Sequence, residues 1–255
     1  MELLEVKHLK KVYNTRLGGK QCVALRDVSF TVGNGEFTAI MGASGSGKTT
    51  LLNLIASLDK PTGGEILLDG LNFNSISDKA ISAFRRNNLG FVFQDFNLLD
   101  TFSIRDNILL PLVLSNMPIK EMESRLLPLA KHLGIAELLD KFPFEVSGGE
   151  KQRTAVARAV ITDPKIILAD EPTGSLDSKA SAALLEQFYD LNAEGRTLLM
   201  VTHSSTAASY AGRVLFIRDG ELFNQIYRGS LSRREFLDKI VSTLTVLNDG
   251  GVDVE

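Results

Sequence analysis

Residues 42–49 read Gly-Ala-Ser-Gly-Ser-Gly-Lys-Thr. The six residues before them form a short apolar strand candidate. Residues 48–58 have helical spacing and end at Asp59-Lys60-Pro61-Thr62-Gly63-Gly64. A strand running through a glycine loop into a helix is a narrow constraint on the fold. Glycines at 42, 45 and 47 let the backbone curl so that successive N–H groups point at phosphate oxygens. The following helix adds the positive end of its dipole. In that frame Lys48 bridges the β- and γ-phosphates, the Thr49 hydroxyl ligates Mg²⁺ and Thr50 contacts the α-phosphate. A glycine-rich turn serving only as a connection is the plainer reading, and the joint presence of strand, loop, Lys-Thr and helix argues against it.

A second acidic element fits the first. Residues 165–170 form an apolar strand that delivers Asp170 at its tip, with Glu171 immediately after. Two adjacent carboxylates repel each other without a cation, so the pair makes sense opposite a metal, Asp170 holding Mg²⁺ and Glu171 acting on an attacking water. The alternative is a helix N-cap over Asp170-Glu171-Pro172-Thr173. Gln94, in Phe91-Val92-Phe93-Gln94-Asp95, and His203, at the end of an apolar strand, are each ordinary when taken alone. Their order along the chain gives them weight: glycine loop, Gln94, Val146-Ser147-Gly148-Gly149-Glu150-Lys151-Gln152-Arg153, Asp170-Glu171, His203.

With 255 residues, one large α/β domain carrying an inserted subdomain fits better than two full domains. A net charge of −3 leaves no electrostatic footprint for nucleic acid. The single Cys22 excludes an internal disulfide framework and reads as a small half-buried strand residue in a reducing compartment. The N-terminus carries acidic residues and no apolar core of a signal peptide. No stretch approaches the ~18 apolar residues that span a bilayer. A cytoplasmic protein is expected, with any membrane role supplied by a partner.

Residues 1–41 alternate apolar and polar, with breaks at Gly18-Gly19 and Gly33-Asn34-Gly35, and read as antiparallel strands. Residues 65–69 return as a strand before the Asp69-Gly70 turn. From about residue 96 to 163 the pattern becomes helical, with prolines at 111, 118, 128 and 143. Residues 165–170 and 197–202 read as buried strands flanked by helices, hence a parallel sheet covered on both faces. A hairpin at Asp219-Gly220, an amphipathic segment over 232–244 and a frayed tail from Asp249 complete the expectation.

These motifs, in this order, resemble the nucleotide-binding subunit of ABC transporters over essentially the whole chain. The resemblance implies an α/β P-loop NTPase fold with a parallel core sheet, an N-terminal antiparallel β subdomain and an inserted helical subdomain at about 96–163. It implies one ABC ATPase domain over 1–255, with a C-terminal extension from about 228. Tyr13 corresponds to the aromatic residue that stacks on adenine, and Gly42, Ser44, Gly45, Gly47, Lys48, Thr49 and Thr50 to the ATP-binding loop. Gln94 corresponds to the residue that senses Mg²⁺ and the membrane subunit. Ser147 and Gly149 belong to the signature that completes the partner's site, and Asp170 is the second metal carboxylate. Glu171 corresponds to the general base, Ser175-Leu176-Asp177 to the D-loop, and His203 to the histidine near the γ-phosphate. An ATP-dependent homodimer enclosing two ATP and two Mg²⁺ is implied, peripheral on the inner face of the membrane and driving a separate permease. Two departures stand out: the signature begins with Val146 and carries Glu150, where Leu and Gln are commoner, and Ser204 follows His203 where Asp is usual.

Residues 88–99 are similar to the branch containing macrolide exporters, lipoprotein releasers and antimicrobial-peptide detoxifiers. Residues 97–101, 106–112, 207–210 and 216–220 look like its bacitracin-resistance group. That likeness implies peptide-antibiotic resistance and sensing, with a sensor histidine kinase reached through the permease. The run 108–114 has two readings: buried helix packing, or one wall of the groove that receives the membrane subunit. Alternatives are a lipoprotein-releasing or macrolide-type complex and a cell-division regulator that moves nothing. A P-loop kinase leaves residues 147–153 unexplained, and a DNA-repair or translation ATPase lacks its coiled-coil insertion, second cassette and basic surface.

Overall fold

A computed structural model of the chain describes residues 2–14 and 21–249. The expected break at Gly18-Gly19 and the tail from residue 250 lie outside them, whereas Asp249, expected to begin the frayed tail, ends a helix. The chain divides into two units, residues 1–76 with 199–255, and residues 77–198.

The first unit is built on a sheet. Strands β1 (Glu2–Tyr13) and β2 (Cys22–Gly33) pair antiparallel, with Leu4 opposite Val32 and Tyr13 opposite Cys22. On its other edge β1 pairs antiparallel with β4 (Gly63–Leu68). Their burial alternates, as one-sided strands require. Strand β3 (Phe37–Met41) is buried at every position and lies parallel to β9 (Arg213–Arg218), so it reads as an unbroken apolar run. With β5 (Leu71–Asn72), β8 (Leu198–Val201) and β10 (Glu221–Tyr227), the strand order is β5-β4-β1-β2-β10-β9-β3-β8. Helices α1 (Lys48–Ile55), α7 (Ser205–Ala208) and α8 (Arg233–Asp249) complete the unit.

The expected Asp69-Gly70 turn and Asp219-Gly220 hairpin are both present. Asp69 and Gly70 (φ 51° and 76°) join β4 to β5, and Asp219 and Gly220 (φ 52° and 79°) join β9 to β10. Asn34-Gly35 also turns the chain, Glu36 N donating to Gly33 O at 3.2 Å. It makes no hairpin, because β3 takes its place beside β9 instead of β2. Cys22 is exposed, not half-buried.

The second unit holds α2 (Ile81–Asn88), β6 (Leu89–Val92), α3 (Ile104–Val113), α4 (Ile119–His132), α5 (Gly148–Val160), β7 (Ile166–Asp170) and α6 (Ser178–Ala193). β6 and β7 are parallel. Helix α2 escaped the sequence reading: it has no fully buried residue, so no apolar stripe announces it. Three helices, α3 to α5, lie between residues 104 and 160, and α3 and α4 carry Pro111 and Pro128 internally.

Asn107 ties this unit together. It is fully buried; its amide donates to the carbonyls of Leu99, Phe102 and Ser103 at 3.0–3.1 Å and accepts from Leu99 N at 2.8 Å. Replacing it with Ala would remove all four hydrogen bonds and leave a cavity at a fully buried position. We expect Asn107→Ala to lower unfolding free energy by about 2–4 kcal/mol, measured by urea denaturation.

Candidate functional site

The glycine loop lies in the first unit between β3 and α1. A Cβ at Gly42 would stand 2.2 Å from the Ile217 carbonyl oxygen, and one at Gly47 would stand 2.5 Å from that of Ala24. Gly45 and Gly47 have φ of 78° and 102°. Two positions are thus glycine because other backbone occupies the space, and two because of the left-handed turn. The β9–β10 turn closes the loop from behind, Gly220 N donating to Ser46 O at 3.2 Å. Motif spacing gave no sign of that contact, made by residues more than 170 positions away.

Helix α1 begins without a side-chain cap and without an acidic residue in its first turn. Its leading N–H groups are therefore offered to an anion from outside the helix. Lys48 is 8% exposed, and its ammonium donates to the carbonyls of Gly42 and Ala43 at 2.8 and 2.9 Å. The cation is held at the loop's mouth by the loop itself. Thr49, Ser44 and Gly45 are exposed and Thr50 is half-buried.

Tyr13, at the end of β1, donates its hydroxyl to Asp59 at 2.9 Å. Burial and that hydrogen bond push its phenol up. Burial works to raise the Asp59 carboxyl, and hydrogen bonds from Lys11 and Tyr13 outweigh it, holding the carboxyl below its ordinary value. His203 is exposed. It sits between two anchors: Thr202 N donates to Ile40 O at 3.0 Å, and the Ser204 hydroxyl accepts from Ala207 N at 3.2 Å. Ser204 caps α7, a task that Ser and Asp perform alike, which accounts for the departure noted there.

The second unit brings Gln94, the signature, the Asp-Glu pair and the D-loop into one cluster around α5. Gln152 is buried, and its amide donates to Pro172 O at 2.8 Å and Phe93 O at 3.3 Å. One side chain thereby links the segment before Gln94 to the segment after Glu171. Arg158, two turns further along α5, donates to the carbonyls of Phe96 (2.8 Å) and Asn97. Those residues have φ of 62° and 48°, a costly pair of left-handed conformations that the guanidinium holds. The Gln94 side chain lies against Gly174, where a Cβ would approach it to 3.1 Å. Glu171 is half-buried with φ 44°, and its carbonyl accepts from Gly174 N at 2.9 Å. No helix starts at Asp170: α6 is capped by Asp177, which accepts from Ala180 N at 2.8 Å, so the alternative N-cap reading fails.

Ser147 caps α5 in a reciprocal box. Glu150 accepts from Ser147 N at 2.7 Å and Ser147 Oγ at 2.8 Å, while Glu150 N donates back at 3.4 Å. Glu150, in place of the commoner Gln, fills a capping-box position that either residue serves. An open cleft of about 390 Å³ covers this helix start, lined by Ser147, Gly149, Arg153, Ser175, Asp177 and Lys179. Its positive helix end and basic side chains suit an anion.

Hydrogen bonds from Ser147, backbone first and then hydroxyl, hold the Glu150 carboxyl below its usual range. Its contribution to stability is therefore complete above the unfolded carboxyl's value and lost as pH falls through the depressed one. Thermal melts from about pH 6 to pH 3 should show a shallower acid loss for Glu150→Gln than for the parent; superimposable curves would refute the cap's share.

Residues 25–174 match the ABC transporter family. The chain is 51% identical to the ABC transporter ATP-binding protein YxdL of Bacillus subtilis, over 99% of this chain and 97% of that one. It is 46% identical to the bacitracin export ATP-binding protein BceA of Halalkalibacterium halodurans, over 99% and 98%. The dimeric post-hydrolysis structure of the ATP-binding cassette MJ0796, bound to ADP and Pi, superposes with a TM-score of 0.80 at 37% identity, covering 88% of this chain and 98% of that one. The chain belongs to the ABC transporter family as one of its ATP-hydrolysing, ATP-binding proteins.

Proposed function

We propose that the chain is the nucleotide-binding subunit of a bacterial transporter for resistance to, and sensing of, bacitracin-like antimicrobial peptides. The observation that carries this reading is likeness over the full length. BceA matches 99% of the chain, whereas the macrolide export MacB protein of Chlorobium phaeobacteroides, 45% identical, matches 86%. A macrolide-type or lipoprotein-releasing complex is the second reading, favoured by that 45% identity.

In the proposed cycle the uncapped start of α1 and Lys48 receive the phosphates of ATP, and Tyr13 stacks on adenine. Mg²⁺ ordinarily keeps only one or two protein oxygens beside phosphate oxygens. The exposed Thr49 hydroxyl and the Asp170 carboxylate are oxygens of that kind, and Gln94 is a further candidate. The ion would neutralise charge developing on the phosphates. Glu171 takes a proton from the attacking water, and His203 donates toward the γ-phosphate. A second copy brings Ser147 and Gly149 to the nucleotide, so the cleft over α5 is filled only in the dimer. The dimeric MJ0796 cassettes support that arrangement.

A separate permease would receive the work, placing the chain on the inner face of the membrane, with any sensor kinase reached through it. No helix among the described residues is long and apolar enough to cross a membrane. In 108–114 both sequence readings find support. Ile108, Leu109 and Leu112 are buried, whereas Val113 and Leu114 are 51% and 58% exposed, close in sequence to Ile119 at 75%. We assign the exposed end to permease docking.

Two experiments test this reading. Glu171→Gln should cut ATP turnover by at least about a hundredfold while retaining ATP binding and trapping a dimer on size exclusion. Unimpaired steady-state hydrolysis would remove Glu171 as the base. Leu114→Glu should leave the purified chain's ATPase rate unchanged, yet abolish copurification with a large permease bearing a long extracellular domain. Recovery of that permease at normal yield would place docking elsewhere.

A further inference from the structure

Lys11 is a lysine almost removed from solvent, 9% exposed, and the phosphate loop does not use it. Its ammonium makes three contacts. It stands 2.7 Å from Asp59 Oδ1, 2.7 Å from the Lys60 carbonyl and 4.7 Å from the centroid of the Tyr13 ring. Asp59 uses its other oxygen, Oδ2, to accept the Tyr13 hydroxyl at 2.9 Å. Tyr13 is therefore gripped at its hydroxyl by Asp59, with Thr50 beside it, and over its ring by Lys11. It still shows 40% of its surface to solvent. Asp59 lies just past the end of α1, so this grip ties the aromatic platform to the helix whose first turn faces the phosphates.

We propose that Lys11 and Asp59 are positioning residues for the nucleotide's base: together they immobilise the Tyr13 ring so that its open face is presented, already ordered, to a purine. This inference rests on the reading of Tyr13 as the base-stacking residue. The physical basis is preorganisation. A tyrosine at the end of a strand samples several rotamers, and ordering it on binding weakens affinity. The carboxylate and ammonium take that cost at folding. A cation on one face of the ring also leaves stacking to the other, because a single ring cannot serve both partners on the same side. The ion pair is partly sheltered, with side-chain exposures of 11% and 32%, so salt screens it less than a surface pair.

Nucleotide affinity of the purified chain, measured with a fluorescent ATP analogue and Mg²⁺, tests the inference alongside turnover at saturating ATP. Lys11→Met and Asp59→Asn should each weaken binding about three- to tenfold with turnover at saturation unchanged, and Lys11→Arg should restore most of the loss. In a Tyr13→Ala background neither change should weaken binding further, because there is no ring left to position. If Tyr13→Ala itself leaves affinity intact, the base-stacking reading fails. If Tyr13→Ala weakens binding but Lys11→Met and Asp59→Asn do not, or weaken it equally without the ring, positioning is overturned and stacking survives.

Cys22 offers a second readout should Asp59→Asn fold poorly. It is the chain's only cysteine, is exposed, and pairs with Tyr13 across the strands. ATP should slow its alkylation in the parent, and the ATP concentration giving half protection should rise in Lys11→Met by the same factor as the affinity loss. Identical half-protection in both proteins would overturn the inference.

Discussion

No side chain fits at Gly42 or Gly47, because the carbonyls of Ile217 and Ala24 already occupy that space. This close approach of backbone to backbone is the constraint from which the nucleotide-binding half follows. β9 must run beside β3 for Ile217 to reach Gly42, and β2 must pass close by for Ala24 to reach Gly47. The loop is pressed against these strands, and Lys48 folds back on its carbonyls. The shape of the loop is thus a product of sheet order as much as of the glycine spacing itself.

The same logic separates what could be read in the sequence from what could not. The loop, β3, β7, β8 and the two Asp-Gly turns were legible because each is local: an apolar run, a glycine pattern, a dipeptide with a fixed turn geometry. The catalytic candidates stood out because their order along the chain is distinctive. Partners of the loop were not, since Gly220 meets Ser46 across most of the chain's length and nothing near either residue announces it. Asn34-Gly35 shows the limit in reverse. The dipeptide forces a turn, but which strand lies alongside is decided by burial, and the fully buried β3 belongs in the sheet interior and not beside the half-exposed β2. Lys11 and Asp59 were invisible for a related reason: one looks like a strand lysine and the other like a helix-ending aspartate until the fold places them 2.7 Å apart.

In the second unit the organising element is α5. Its first residues belong to the signature, while Gln152 and Arg158 on its body hold backbone on both sides of Gln94 and beyond Glu171. Carbonyl oxygens are the acceptors in every one of these contacts. Such bonds fix the path of the chain without depending on which side chains the bound segments carry. Phe96, Asn97 and Glu171 all adopt left-handed backbone within this cluster. Each conformation costs on the order of 1–3 kcal/mol, and the grip of α5 is what makes them tolerable.

Ser147 sets a sharper requirement. In the isolated chain its hydroxyl proton is donated to Glu150, a charged acceptor at 2.8 Å. To donate to a phosphate on a second copy, that proton must turn away from a carboxylate, and the carboxylate then keeps only the backbone N–H of Ser147. The exchange swaps one charge-assisted hydrogen bond for another, so the signature serine alone contributes little net free energy to closing a dimer. In the proposed dimer the larger contribution would come from the basic side chains Arg153 and Lys179 lining the cleft, net of the acidic Glu150 and Asp177 beside them. Closure would then depend on the full charge of the triphosphate, weakening once hydrolysis and phosphate loss remove that charge, which is the asymmetry a nucleotide-driven clamp needs.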